Sequence, residues 1–485
     1  MHYYGVNGKD ELRVYYIEIS RKVMKKIYIG IIAALLSTLM AAQNVNVDFF
    51  VEKGPVKLLN GVNGGIQEIS HSGSTMRYVR DAHIPYFRPH DVRDIGWHGG
   101  PYLVDISAIF QNFDADVNDP ASYDFKFTDD FIEQVYRAGS QMYYRLGETI
   151  EDPSCTHHVH PPKDFKKWAQ ICEHIIRHYN EGWANGFHYN IEYWQIWNEY
   201  DASVPSGCWT GTPEQFHELY ETAYRHLKGL FPHLKIGGPA LIGRQSTGKE
   251  FIAAMAERKV PLDFLSWHMY FHTVDAFRNN VNFFRKTLDE YGYQDTPSII
   301  DEWNIKPFDL AHTHYATVLT AAAMCAGQYE PVDMMLFYDV RIGSSFNNIF
   351  TRRAEPKPAY WAFYSWGQMT QLGTSVEAAA DMPELQVAAA TNADRTSSGI
   401  LLSRLNVETG IPQLTDPNIR IPRSINPKMN VTVNVKGVKP TEITVYMVDG
   451  KYCYQPYPVK VAETADGCAI TISMARLSYA YIELL

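Results

Sequence analysis

The sequence predicts an α/β fold, a (β/α)8 TIM barrel over residues 60–371 with an accessory C-terminal β-sandwich over 372–485. Three observations carry this expectation. Short apolar or β-branched runs alternate with amphipathic helical stretches through the middle of the chain. Those runs end in polar and charged residues, where barrel enzymes place their chemistry. Beyond about residue 372 the helical period gives way to strict alternation with turn signals between short strands.

Eight strands follow in order: GVNGGI (61–66), PYFRPHD (85–91), QMYYRLGE (141–148), EYWQIWNE (192–199), KIGGPAL (235–241), FLSWHMY (264–270), SIIDEWN (298–304) and MMLFYDV (334–340). Two of the intervening helices are explicit. In TPEQFHELYETAYRHLKGLF, Thr212 is an N-cap, Pro213 takes the first helical position, and Phe216, Leu219, Tyr220, Ala223 and Leu227 form an apolar stripe. In KDFKKWAQICEHIIRHY the stripe is Phe165, Trp168, Ile171, Cys172 and Ile175. An open doubly wound sheet is the structural alternative. It calls for a G-x-G-x-x-G turn after the first strand, and NGVNGG lacks that spacing. After the barrel, ELQVAAATNA, SGILLSRLN, NVTVNVKGV, EITVYMVDG, CAITISM and SYAYIEL read as sandwich strands. The alternating segment at 43–59 is expected to add strands to that sandwich before the barrel begins.

Composition narrows the partners. Of 485 residues, 46% are hydrophobic and 20% charged, a globular balance. The net charge of −10, with no basic run, excludes a nucleic-acid backbone as partner. An aromatic content of 13% suits a protein that stacks sugar rings. At the N-terminus, MKKIYIGIIAALLSTLMAAQ reads as an export signal starting at Met24, with Lys25 and Lys26 before the apolar run and small residues before Gln43. Residues 1–42 are therefore assigned to a signal segment, and the mature protein is expected in the periplasm or outside the cell, with no stable membrane insertion. An N-terminal membrane anchor is the competing reading; no cysteine follows the run to carry a lipid. Among the six cysteines, Cys453 and Cys468 flank a hairpin and are expected to pair, while Cys172 and Cys325 read as buried thiols.

The strand ends supply the candidate site: Arg88, His90 and Asp91 from strand two, Arg145 and Glu148 from three, and Asn198 and Glu199 from four. His268 and Tyr270 come from six, Glu302 and Asn304 from seven, and Tyr338 and Asp339 from eight. WNE and DEWN each set a carboxylate in the same local context, and strands four and seven face each other across a barrel mouth. Cleaving a glycosidic bond needs such a pair, one to protonate the leaving oxygen and one to attack or to activate water.

WQIWNE, DFLSWHMY and SIIDEWN, together with PKPAYWAF at 356–363, resemble glycoside hydrolase family 39, the β-xylosidases and α-L-iduronidases. The resemblance implies a retaining enzyme acting on an oligosaccharide or polysaccharide, β-xylosidase-like and exo-acting, without cofactor or metal. It makes Glu199 the acid/base and Glu302 the nucleophile. Asn198 is then expected to bind the sugar 2-hydroxyl, His268 and Tyr270 to orient the nucleophile, and Arg88 and His90 to support it as a basic pair. Trp303 and Tyr338 are expected to line the sugar pocket; of the rings Trp97, Tyr102, Trp209, Trp303 and Phe308 in loops or at strand ends, some are expected to stack on sugar and about half to be ordinary packing. The sequence departs from the family in placing Tyr200, rather than proline, after the acid/base, and in the loop PSCTHHVHPPKD. His157, His158 and His160 in that loop lack a ligand set at zinc spacing. Lys235 begins strand five, at the wrong end for a Schiff-base lysine. Endo-action on a longer chain, and a non-catalytic carbohydrate-binding relative, are the alternatives.

Overall fold

The structure is a computed structural model that describes residues 43–69, 73–90, 92, 103–149, 159–202, 207–406 and 427–485. The signal segment lies outside the described residues, as do Asp91, Trp97, Tyr102, Cys155, His157 and His158. No described helix is long and apolar enough to cross a membrane.

Eight parallel strands close into a barrel: Leu58–Asn63, Tyr86–Arg88, Gln141–Leu146, Tyr193–Ile196, Lys235–Leu241, Leu265–Phe271, Ser298–Ile305 and Met334–Phe337. We number them barrel strands one to eight. Strand eight pairs with strand one and closes the ring. Period-two alternation sorts their side chains. Tyr143, Phe264, Ile299, Met334 and Leu336 fill the barrel floor, joined by Tyr193. Their neighbours Tyr144 and Trp194 point outward and stack on each other at 4.7 Å beneath the helices. The helix Pro213–Leu230 starts at the Thr212 cap, where Thr212 and Gln215 form a reciprocal capping box, and it buries the expected stripe. The helix Phe165–Glu181 is capped by Asp164 and ends at Gly182 in the left-handed region, φ 75°.

Ten further strands form one hydrogen-bonded sheet instead of two separate ones. Its apolar residues, from Val45, Val47 and Phe49 to Ile470, Ile472 and Ile482, share a single buried cluster, so the sheet curls to bring both halves onto one core. The strand Gln43–Pro55 lies inside it, antiparallel to Thr374–Ala380 and parallel to Met429–Lys436. This topology overturns the expected disulfide. Cys453 sits on the strand at one end of the sheet order and Cys468 next to the other end, and both are free thiols. Cys172 and Cys325 are buried free thiols. The barrel and the sheet share a broad seam. The helix His314–Tyr329, buried from Tyr315 to Gln328, packs on sheet strands Leu385–Thr391 and Ser398–Leu405. Ser403 donates to the Val318 carbonyl at 3.2 Å and Tyr329 to that of Val376 at 2.8 Å.

Candidate active site

The site begins where barrel strand four stops. Trp194 and Trp197 are buried on its outer side, while Gln195 faces in and receives Arg88 Nε at 2.8 Å. Trp197 and Glu199 then adopt left-handed backbone, φ 67° and 44°. For such residues that conformation costs on the order of 1–2 kcal/mol each. Neighbouring strands hold them there: Trp197 N–H donates to the Leu146 carbonyl at 2.7 Å and Glu199 N–H to that of Ala240 at 2.9 Å. Indole Nε1 of Trp197 donates to the Cys208 carbonyl at 2.8 Å, pinning the following loop. The twist breaks the strand alternation and turns Asn198 and Glu199 toward the barrel mouth.

Glu302 arrives from strand seven. A carboxylate oxygen of Glu302, one of Glu199 and a ring nitrogen of His268 all lie within 4.8 Å of one another. Glu302 is held by charged and strong donors. Arg88 Nη1 donates to its Oε2 at 3.1 Å and Tyr270 Oη to its Oε1 at 2.5 Å. Arg88 is fully buried and also grips Asn63 at 2.9 Å and Asn198 Oδ1 at 2.5 Å. Glu199 has softer company. His268 Nδ1 is 2.6 Å from its Oε1 and the Cys208 thiol 3.9 Å from its Oε2.

These surroundings divide the pair. Burial, followed by the charge of Asp201, pushes Glu199 up to about 7, against the pull of Arg88 and the thiol. Burial also raises Glu302, but His268, Arg88 and the Tyr270 hydroxyl oppose it. Carboxylates this close titrate as a pair, and the donors on Glu302 leave the shared negative charge there and the proton on Glu199. The Glu199 side chain keeps 19% of its surface exposed against 8% for Glu302, so the protonated group is the one that meets an entering aglycone. Two carboxylates and an imidazole also form a donor set that a divalent ion could bridge.

The other expected residues separate. His268 hydrogen-bonds Glu199 and stands 3.6 Å from Glu302, so its closer partner is the acid/base candidate, not the nucleophile candidate. His90 is buried, and burial together with Arg88 and Arg145 holds it well below the usual imidazole range. It is therefore neutral and makes no basic pair with Arg88. Trp303 does not line the pocket. With Glu302 turned inward, the next side chain points out, and Trp303 is fully buried against Phe271 and Phe337. Trp209 is likewise buried, edge-on to Trp197 at 5.2 Å. Tyr338 is at the mouth, its hydroxyl accepting from Arg341 at 2.8 Å. Phe308 is 41% exposed and sits edge-on to Tyr270 at 5.7 Å, which leaves it available to a sugar. Glu148 accepts from Ser107 N–H and Oγ, and Asp339 binds Arg341, so each braces a loop. Asn304 donates to the Tyr338 and Phe346 carbonyls and ties strand seven to strand eight. No local pattern marks Asp201, Cys208, Asp301 and Phe346 as site residues; DEWN displays Asp301 openly, but alternation alone assigns it to the outer face.

Residues 74–385, well over half of the chain, match the family model of glycosyl hydrolases family 39. The chain belongs to glycosyl hydrolases family 39. A family 39 assignment agrees with its similarity, 27% over 192 residues, to a beta-xylosidase of Geobacillus stearothermophilus, a match covering 37% of this chain and 36% of that one. The chain thus spans about a third of the length of the curated relatives it matches. The fold is shared more widely. A glucosidase from Croceicoccus marinus superposes with a TM-score of 0.71 at 22% identity, over 91% of this chain and 98% of the other. A monomeric beta-xylosidase from Caulobacter crescentus superposes with a TM-score of 0.69 at 16% identity, over 91% and 99%.

Proposed function

We propose that this family 39 protein hydrolyses O-glycosidic bonds with retention of configuration, Glu302 acting as nucleophile and Glu199 as acid/base. The observation that carries the reading is the spacing of the two carboxylates, with oxygens within 4.8 Å. Retaining enzymes hold their carboxyl groups about 5–5.5 Å apart, whereas inverting enzymes leave about 6.5–9.5 Å for a water. In the first step Glu302 bonds to the anomeric carbon while the departing oxygen takes the Glu199 proton. The glycosyl ester leaves Glu302 uncharged, which lowers the Glu199 pKa. Glu199 then takes a proton from water, the hydroxide bonds to the anomeric carbon, and Glu302 is released as the carboxylate. Asn198, oriented by Arg88, is assigned to the sugar 2-hydroxyl.

The substrate class follows from charge. Arg88 is matched by Glu302 and Asp301, Arg145 by Asp105 and Arg341 by Asp339. Among the described residues these arginines are thus matched, which favours a neutral sugar over a uronate, and the curated relatives are named beta-xylosidases. A terminal β-xyloside or similar neutral pyranoside, cleaved in exo fashion, is the preferred substrate. Export behind residues 24–42 completes the reading; the mature N-terminus is expected near Gln43, and an intact leader on envelope-bound protein would support the anchor instead.

Leaving-group kinetics test the mechanism. Glu199→Ala is expected to lose about 10²–10⁴-fold on glycosides with poor leaving groups, and to give a burst on dinitrophenyl glycosides followed by slow turnover. Azide should restore turnover with a retained glycosyl azide in Glu199→Ala and an inverted one in Glu302→Ala. Equal losses across leaving groups, with azide rescuing neither variant, would favour a non-catalytic carbohydrate-binding protein.

A further inference from the structure

Asp301, immediately before Glu302, has no place in that mechanism, yet its carboxylate is fully buried beneath it. Barrel strand seven carries an irregularity at this point. Ile300 pairs with Trp267 and Glu302 with His268, so two steps on strand seven match one on strand six. Asp301 is the extra residue of a β-bulge, a device that re-aims a side chain. Its Oδ1 lies 3.5 Å from His268 Nε2 and its Oδ2 3.4 Å from Arg88 Nε. Burial raises the Asp301 carboxyl, while Arg88, His268 and the Ser266 hydroxyl beside it oppose that rise and favour its charged form; at strict hydrogen-bond geometry its two oxygens and His268 Nε2 are still unsatisfied. Buried polar atoms seldom remain so, and these are close enough to serve each other with a shift of a few tenths of an ångström.

We propose that Asp301 is a positioning residue that keeps the ring proton of His268 on Nε2, and so keeps the catalytic proton on Glu199. The proposal rests on the acid/base reading of Glu199. A neutral imidazole carries one N–H. With that proton on Nε2, facing the Asp301 carboxylate, Nδ1 presents a bare lone pair to Glu199 Oε1 at 2.6 Å. A hydrogen bond can form there only if Glu199 is the donor, in its acid form. The opposite tautomer gives Glu199 a donor and stabilises its carboxylate, but it turns an Nε2 lone pair onto the Asp301 carboxylate. An ionised Asp301 selects the first, which also holds one proton more, the acid proton of Glu199, so that proton is harder to lose while the ring proton stays on Nε2; burial disfavours the competing arrangement, an imidazolium beside a Glu199 carboxylate. The selection also serves the second step. A Glu199 carboxylate facing the Nδ1 lone pair is poorly solvated, and it takes a proton from water more readily.

The charges facing the couple are Arg88 from strand two, Asp201 beyond strand four, Glu302 from strand seven and Asp339, which acts through Tyr270; the neutral titratable groups are His90, Tyr143 from strand three, Cys208 and Tyr270. Of these and Asp301, it is Asp301 that pairs with His268 Nε2, at 3.5 Å.

Two measurements test the proposal. The first uses the native protein with 15N-labelled histidine, the His268 signal being assigned by its loss in His268→Gln. The proton is expected on Nε2; finding it on Nδ1 overturns the proposal whether or not any variant folds. The second compares Asp301→Asn, which removes the charge at nearly constant shape, with the native enzyme on two substrates. On a phenyl glycoside kcat/KM at pH 7 is expected to fall at least about ten-fold, with the alkaline limb moving to lower pH, while the burst on a dinitrophenyl glycoside stays within about three-fold. An unmoved alkaline limb, or an equal loss on both substrates, overturns the positioning role. Failure of the underlying reading would show elsewhere, as a Glu199→Ala variant that loses activity equally on both leaving groups.

Discussion

Glu199 and Glu302 differ less in burial than in the company they keep. Arg88 and Tyr270 donate to Glu302, whereas Glu199 meets an imidazole nitrogen and a thiol. Two predictions belong at this scale. Activity needs Glu302 ionised and Glu199 protonated. kcat/KM should therefore rise through the titration of Glu302, then fall as pH passes about 7, where burial and Asp201 hold Glu199. A plateau extending through pH 9 would contradict that assignment. The second prediction concerns stability. A carboxyl raised in the folded state stabilises it below its unfolded pKa, and that contribution is lost as pH rises through the folded value. Glu199→Gln never ionises, so its stability advantage over the native protein should grow between about pH 4.5 and 7 and then level off. Urea titrations at pH 5 and pH 8 would measure it. The carboxylates, Arg88, Asn198, His268 and Tyr270 were all legible as polar residues at the ends of apolar runs. Their partners were not, because which oxygen meets which donor depends on approach across the barrel.

Elements set those approaches. Helix Pro213–Leu230 could be read to its cap, since Thr212, Pro213 and Gln215 act on atoms three residues away. Thr212→Ala should cost about 1 kcal/mol and leave kinetics untouched. The two irregular places next to the chemistry were hidden. Neither the left-handed turn at Trp197 and Glu199 nor the bulge at Asp301 has a glycine or proline to mark it. Trp303 lies beyond the bulge, where pairing is regular again, and the alternation that turns Glu302 inward sends Trp303 out into the core. Gly243 provides a test of how tightly strand six is held. It lies at φ 77°, and a β-carbon there would meet the His268 carbonyl oxygen at 2.0 Å. That neighbour is backbone and cannot turn away. Gly243→Ala should therefore lower kcat by displacing His268, and destabilise by about 1–3 kcal/mol, as thermal unfolding and kinetics on one preparation would show.

At the scale of the molecule, the barrel leans on the curled sheet. Helix His314–Tyr329 is apolar on every side, so it needs cover from both the barrel and strands Leu385–Thr391 and Ser398–Leu405. A chain ended at residue 373 would expose that face and is expected to be recovered as aggregate. A soluble, monodisperse and active truncation would show that the seam is dispensable. The strand Gln43–Pro55 ties the start of the barrel into the same sheet, between strands contributed from 374–380 and 429–436. Its alternation marked it as a strand, but its partners lie more than three hundred residues away.

The sequence by itself determined what depends on near neighbours: the eight barrel strands, the capped helices, the change to period-two alternation, and the two strand-end carboxylates. Each is written in spacing of a few residues, where side-chain periodicity and capping act. Tertiary structure alone decided what depends on meeting across the fold. It paired His268 with Glu199, brought Asp301 beneath both, made His90 neutral, turned Trp303 into the core, and separated Cys453 from Cys468. These outcomes follow from burial and from distances between strands remote in sequence, which raise or lower a proton's binding and open or close a face without leaving a local pattern in the chain.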